Sequence, residues 1–139
     1  PHALWTRLVY LRRTTDERGR IIDLASHLRR HREGYVLKPN RSYGGVGVHV
    51  GLDTVPRLWD AALERALAEP GTWVAQQLGE VMEEDFPVVA PDGSVALVPH
   101  FVDCGVYSVG DTFGILSRAA YRRVVNVSSG GGLAVVLFA

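Results

Sequence analysis

A glycine-rich segment between two short apolar runs is the feature that most constrains the fold. Residues 35–39 have the pattern of a buried strand ended by proline, and residues 46–50 alternate as a second strand. The polar stretch at 40–45 therefore predicts the turn of a β-hairpin. Glycines at 44, 45 and 47 let the backbone approach a ligand closely and turn N–H groups toward an anion.

Lys38 is the single lysine of the chain, and every other basic residue counted with it is arginine. A compact ammonium group on a flexible stem can reach a phosphate as a point charge. Ser42 adds a hydroxyl donor to the same segment. The lysine precedes the glycines and a strand follows them, so the segment is neither a P-loop nor a Rossmann fingerprint. We interpret it as a phosphate-binding hairpin; a plain turn with a chance lysine is the alternative.

Two helices are predicted in the first half of the chain. Apolar residues at 21, 24, 25 and 28 have helical spacing, which predicts a helix over residues 21–32 that ends before Gly34. A second helix begins near Pro56, with Asp53 or Thr54 as its cap. Its predicted buried stripe consists of Leu58, Trp59, Ala62, Leu63, Ala66 and Leu67.

Short strand-like runs dominate the rest of the chain. They cover residues 72–78, 86–90, 94–104, 105–108, 112–117, 124–127 and 133–138. Two helices beside many strands, without strict βαβ alternation, predict an α+β fold with a largely antiparallel sheet. We expect residues 1–139 to form a single domain. We also expect the chain to be a fragment of a longer protein, because it starts at Pro1 and ends inside an apolar run.

Composition narrows the classes of function. The formal net charge is zero, which argues against a nucleic-acid-binding domain despite a local arginine-rich stretch at 12–32. We interpret that stretch as a solvated face, and His27, His31 and His49 as polar residues on helix or strand faces. No apolar run reaches the roughly 20 residues that span a bilayer. We expect a cytoplasmic protein that binds neither nucleic acid nor membrane.

Residues 35–48, Tyr-Val-Leu-Lys-Pro-Asn-Arg-Ser-Tyr-Gly-Gly-Val-Gly-Val, resemble the nucleotide-grasping hairpin of the ATP-grasp superfamily. The wording is most similar to the circularly permuted branch that includes glutathionylspermidine synthase-like proteins. Three later segments occur in the order of that branch: a helix and hinge strand at 59–77, an acidic strand at 100–103, and closing segments at 114–118 and 125–132. The resemblance implies an ATP-grasp-like lobe built from an antiparallel sheet and two main helices.

The resemblance also implies a binding site for ATP and Mg²⁺. The hairpin would close over the phosphates as a lid, and the hinge strand would offer its backbone to adenine. Arg118 would stabilise the transferring phosphate, while Asp103 and Asn126 would hold Mg²⁺. The implied nucleotide contacts are Lys38, Ser42, Gly44, Gly45, Gly47, Gln76, Gln77 and Leu78.

The implied activity is that of an ATP-dependent carboxylate–amine ligase that works through an acyl phosphate. Its partners would be ATP, a small carboxylate, a small amine and the remainder of the parent chain. Because ATP-grasp sites lie between two lobes, we expect the chain alone to be inactive. Gln77 stands where the family has a glutamate, so a catalytically inactive interaction or scaffolding module is the alternative function.

Overall fold

The computed structural model describes residues 4–10 and 12–136, and the chain forms two compact units, Pro1–Gly79 and Glu80–Ala139. The described residues form two α-helices and antiparallel sheets, which confirms the predicted α+β class. None of the described helices combines the length and the apolar character needed to cross a membrane.

The first unit is built on a four-stranded antiparallel sheet. Its strands are β1 (Thr6–Leu8), β4 (Tyr35–Pro39), β5 (His49–Val50) and β6 (Trp73–Gln77), in the order β1-β6-β4-β5. A separate hairpin pairs β2 (Arg13–Thr15) with β3 (Ile21–Asp23). The helices are α1 (Leu24–Arg30) and α2 (Pro56–Ala68), and a 3-10 turn at Arg32–Gly34 leads from α1 into β4.

The prediction of a helix over 21–32 was wrong at its start. Ile21–Asp23 pairs with β2, and the Asp23 carboxylate then accepts a hydrogen bond from the Ser26 N–H at 2.8 Å. That bond satisfies one of the free N–H groups of the first helical turn, so α1 begins only at Leu24.

Helix α2 begins at Pro56, which was predicted to lie in its first turn, but neither Asp53 nor Thr54 caps it. Val55 occupies the cap position without a side-chain bond, and the Thr54 hydroxyl donates instead to the Val50 carbonyl at 2.6 Å. The buried face of α2 consists of Trp59, Ala62, Leu63 and Ala66. Leu58 is 57% exposed, so its place in the predicted stripe was wrong.

The hairpin predicted around the glycines is present, with a shorter second strand than expected. Strands β4 and β5 pair through Val36 with Val50 and Leu37 with His49. Turns replace strand over residues 44–47. Gly44, Gly45 and Gly47 all have positive φ, a backbone conformation that breaks a strand and that glycine adopts without steric cost.

The core of the first unit lies between one face of the sheet and the two helices. Alternation along β4 and β6 turns Tyr35, Leu37, Trp73 and Ala75 toward it. Helix residues complete the cluster, with Leu24, Leu28, Trp59 and Leu63 all at 0% exposure. The Trp59 indole N–H donates to the Leu28 carbonyl at 3.1 Å, which ties α2 to α1.

The second unit is an antiparallel sheet of four strands. They are β7 (Met82–Val89), β8 (Val95–Val109), β9 (Thr112–Ala120) and β10 (Gly132–Ala134), in the order β10-β9-β8-β7. The two runs predicted at 94–104 and 105–108 form the single strand β8.

Two later predictions differ from the structure of the second unit. No strand forms at 124–127, because the chain turns there and enters a 3-10 turn at Val127–Ser129. The last predicted strand, 133–138, is reduced within the described residues to β10, and residues 137–138 lie outside them.

Candidate functional site

Lys38 and Gln76 lie side by side on the face of the first sheet that points away from the core. In the pairing of β4 with β6, Val36 lies opposite Gln76 and Lys38 lies opposite Val74. Side chains two residues apart on a strand point to the same face, so all four share one face of the sheet. The Lys38 Nζ donates a hydrogen bond to the Gln76 Oε1. The structure thus brings together two of the residues predicted to contact the nucleotide.

We call the surface around these two side chains the outer face; it consists of Leu8, Val36, Lys38, Val74 and Gln76. Leu8 pairs with Val74, which itself pairs with Lys38, so the three share one face of the sheet. All five residues are half-buried. Three apolar side chains beside an ammonium and an amide give a surface suited to a flat ring that carries a charged tail.

The glycine turn that follows Lys38 and Pro39 is closed by its own hydrogen bonds. The Val46 N–H donates to the Tyr43 carbonyl and the Val48 N–H to the Gly45 carbonyl, each at 3.2 Å. The Ser42 hydroxyl donates to the Val46 carbonyl at 2.9 Å. In this conformation Ser42 stabilises the turn, so its hydroxyl must be released before it can donate to a phosphate.

A cavity of about 760 Å³ lies against this turn, on the helix side of the sheet. Ser42 and Gly47 line it together with Trp73, with Arg65 of α2 and with Glu69, which follows that helix. Lys38 is not among the described residues that line it. The predicted phosphate-binding set is therefore divided between this cavity and the outer face.

Gln77 and Leu78, which were also predicted to contact the nucleotide, line neither the outer face nor the cavity beside the glycine turn. The Gln77 N–H donates to the Trp5 carbonyl and the Leu78 N–H to the Gly34 carbonyl, both at 2.8 Å. Both backbone N–H groups therefore already donate to carbonyl groups of the protein, and in this conformation they are not free to donate to a ligand. Both residues line a different cavity of about 640 Å³, next to α1.

In the second unit, Arg118 and Asp103 form an ion pair. They occupy paired positions on β9 and β8, and the Arg118 Nη2 lies 2.9 Å from the Asp103 Oδ2. The Arg118 Nε is buried, and no described residue accepts a hydrogen bond from it. A buried donor without an acceptor is costly, so a bound oxyanion that reached Nε would satisfy it.

Asn126 caps the 3-10 turn before the last glycines. Its Oδ1 accepts hydrogen bonds from the Ser128 N–H at 2.9 Å and from the Ser128 hydroxyl at 2.8 Å. A Cβ on Gly131 would lie 2.7 Å from the Asn126 carbonyl and 2.9 Å from the Ala119 carbonyl. The glycine at 131 is thus required by packing of this loop against β9.

The predicted magnesium ligands fit the ion unequally. The described residues contain no group of three or more His, Cys, Asp or Glu side chains placed to hold a metal. Mg²⁺ bound with a nucleotide needs only one or two carboxylates, because phosphates and water supply the other oxygens. Asp103 is one carboxylate of that kind, although its Oδ2 is paired with Arg118, whereas the Asn126 amide oxygen already accepts two hydrogen bonds.

One group of hydrogen-bonded polar side chains was missed in the sequence. His27 Nε2 lies 2.7 Å from the Tyr35 hydroxyl, which donates to the Glu17 carboxylate at 2.9 Å. Burial and the neighbouring His31 lower the pKa of His27, while burial and Glu17 raise the pKa of Tyr35. The signal was available, because His27 falls on the same helical stripe as the buried Leu24 and Leu28.

The sequence is similar to that of a known protein. The chain is 31% identical over 126 residues to an uncharacterized protein, ML0605, of Mycobacterium leprae. The alignment covers 84% of this chain but 20% of that protein, so the chain spans about a fifth of its relative's length. No protein-family model matches the sequence.

Proposed function

We propose that this chain is the ATP-binding portion of an ATP-dependent ligase that joins a carboxylate to an amine through an acyl phosphate. The observation that supports the proposal most is the position of Lys38: it lies on the outer face beside Gln76, on the strand that leads into a turn with three positive-φ glycines. An ammonium on the strand that precedes a glycine turn suits a triphosphate once the turn opens toward it.

Different side chains of the outer face would bind the adenine ring and the phosphates of the nucleotide. Val36, Val74 and Leu8 supply an apolar floor for adenine, and the Gln76 amide can pair with a polar edge of the base. When the nucleotide binds, the Lys38 ammonium would release its hydrogen bond to Gln76 and donate to a phosphate oxygen instead. Opening of the self-bonded glycine turn would free backbone N–H groups to cover the phosphates and exclude water.

The second unit, taken by itself, offers a further place for a phosphate group at Arg118 and Asp103. Arg118 has a guanidinium whose buried Nε needs an acceptor, so it would bind a phosphate oxygen. Asp103 would hold Mg²⁺, with Asn126 as a second ligand if its bonds to Ser128 are released. When bound, Mg²⁺ neutralises phosphate charge.

The proposed reaction defines the partners. The carboxylate substrate attacks the terminal phosphorus of ATP and releases ADP, and the amine then displaces phosphate from the acyl phosphate. Both substrates are small molecules, and the remainder of the parent chain would provide their binding sites. Free ATP and Mg²⁺ are cytoplasmic reagents, in keeping with the location that we expect.

Calorimetric titration with Mg²⁺–ATP tests the proposal. We expect binding by the chain and a Kd roughly 10-fold to 100-fold higher in Lys38→Ala, because a hydrogen bond to a charged group contributes about 1.5–3 kcal/mol. Arg57→Ala is the matched control, since Arg57 is an exposed cation on α2. Equal binding by Lys38→Ala, or none by any of the three, contradicts the proposal.

A second candidate, a non-catalytic interaction module, is favoured by the surface of the second unit. Apolar side chains such as Leu97, Val106, Phe113 and Leu133 are between 65% and 71% exposed on its sheet. Exposed apolar groups of this kind are typical of protein-binding surfaces. Absence of Mg²⁺–ATP binding in the titration above would favour this function.

A further inference from the structure

A second ligand site is indicated by the cavity of about 640 Å³ next to α1, which we call the arginine cavity. Its walls come from the turn between β2 and β3, the last turn of α1 and the 3-10 turn before β4. Five arginines line it: Arg18, Arg20, Arg29, Arg30 and Arg32. Among the described residues, two carboxylates, Glu17 and Glu33, share that lining, so arginines outnumber carboxylates there.

Most of these arginines already have an acidic partner. Arg20 pairs with the buried Asp16 at 2.7 Å, and Arg29 pairs with Glu64. Arg32 contacts Glu33 at 3.2 Å and donates to two backbone carbonyls, those of Gly51 and Thr54.

Two arginines of the cavity differ from the others. Within the described part of the chain, Arg18 and Arg30 form no ion pair; the Arg30 Nε donates only to the Ser26 carbonyl, at 3.3 Å. The paired arginines fix the walls, while these two guanidinium groups retain donors for a ligand.

A buried relay forms part of the same cavity. The Tyr35 hydroxyl donates a hydrogen bond to the Glu17 carboxylate at 2.9 Å, and its oxygen lies 2.7 Å from the His27 Nε2. His27 and Tyr35 are 7% and 3% exposed. The hydrogen bond from Tyr35 occupies one oxygen of the Glu17 carboxylate.

We propose that the arginine cavity binds a small molecule that carries two or more oxyanion groups, either carboxylates or phosphates. The planar fork of arginine pairs with both groups in the same two-point geometry. The volume suits a small ligand. The zero net charge of the chain gives no long-range attraction for a nucleic acid. This site is separate from the outer face, because Lys38 and Gln76 are not among the described residues that line it, whereas Gln77 and Leu78 are.

Calorimetry at low salt with citrate and with pyrophosphate tests this site. We expect at least one of them to bind, and its Kd to rise at least about 10-fold in the double variant Arg18→Gln/Arg30→Gln. Arg57→Gln/Arg122→Gln is the control, because it removes the same charge from two exposed positions outside the cavity. Binding of citrate alone would identify a carboxylate ligand, and binding of pyrophosphate alone a phosphate ligand.

The position of the bound anion provides a second, independent readout. In ¹H–¹⁵N spectra we expect shifts at Gly34 and Leu78, which line the cavity, and the variant spectra show whether each protein is folded. Lys38→Ala is expected to leave citrate binding unchanged, which separates this site from the ATP site. The proposal is overturned if neither anion binds, if the control variant loses as much affinity, or if Gly34 and Leu78 do not shift.

Discussion

Gly51 occupies a position where no side chain fits. A Cβ there would lie 1.8 Å from the Arg32 carbonyl oxygen, and the Gly51 N–H donates to the Tyr35 carbonyl at 2.9 Å. The close approach joins the end of β5 to the 3-10 turn that shapes the arginine cavity. This role of Gly51 follows from tertiary packing, so the sequence pattern around it does not reveal it.

Gly51→Ala is therefore expected to lower the free energy of unfolding by about 3 kcal/mol, the upper end of the usual cost of overpacking. Gly34→Ala is the control, because a Cβ at Gly34 meets nothing within 4 Å. We expect the control to stay within about 0.5 kcal/mol of the parent chain. Urea unfolding measures both, and equal stability of the two variants would contradict the packing described here.

His27 gives stability a pH dependence near neutrality. Burial lowers the pKa of His27 from 6.5, and the neighbouring charges of His31 and Arg30 lower it further. The negative charges of Glu17 and Asp16 oppose this shift and offset part of it. Burial likewise lowers the pKa of His49 from 6.5. Below pH 6.5 the unfolded chain binds protons that the folded chain does not, so stability falls with falling pH and levels off below the folded pKa values.

We expect the free energy of unfolding to decline between pH 7 and pH 5, measured by urea titration at each pH. Carboxylates such as Asp23 and Glu69 contribute only at lower pH, because hydrogen bonds from Ser26 and Trp73 lower their pKa values below 3.8 and 4.5. A smaller decline is expected in His27→Gln. Stability that stays constant over this range would show that His27 and His49 are not buried as described.

Among the secondary structure elements, α2 carries the packing of the first unit. Trp59 is fully buried and bonded to Leu28, whereas Leu58, one residue earlier, is 57% exposed. We expect Trp59→Ala to destabilise the chain by about 3–5 kcal/mol and Leu58→Ala by less than about 0.5 kcal/mol. Thermal or urea unfolding compares them, and a large cost for Leu58→Ala would restore the wider apolar stripe that the sequence predicts.

Elements with a strong local pattern were predictable from the sequence. Strand β4 was confirmed at its predicted bounds, because alternation and Pro39 both act locally. The start of α1 was predicted wrongly, because the pairing of Ile21–Asp23 with β2 outweighs the helical spacing of the same residues. The strand predicted at 124–127 failed for a similar reason: Asn126 caps a turn there instead of joining a sheet.

The candidate site was predictable only in part. The sequence indicates Lys38 and the glycine turn, because both lie within ten residues of chain. The contact between Lys38 and Gln76 depends on the register of β4 against β6, which joins positions far apart in sequence. The same register turns Gln77 to the core side, so consecutive predicted contacts lie on opposite faces of the sheet.

On the scale of the whole molecule, the two units differ in how they bury apolar surface. The first has a continuous core that includes Trp5, Tyr35, Trp59 and Trp73. In the second, buried positions such as Ala119, Ala120, His100 and Ser117 are few among the described residues, and many apolar side chains of its sheet are exposed. The first unit thus has the means to hold a site rigidly, and the proposed nucleotide surface lies on its sheet.

A ¹H–¹⁵N titration of the intact chain with Mg²⁺–ATP tests the central claim most directly, because it reports where the nucleotide lies. We expect the largest shifts at Lys38, Val74 and Gln76 on the outer face and at residues 44–47 of the glycine turn, and we expect Lys38→Ala to lose those shifts. Resonances of Lys38, Val74 and Gln76 that stay unmoved at saturating Mg²⁺–ATP would contradict it.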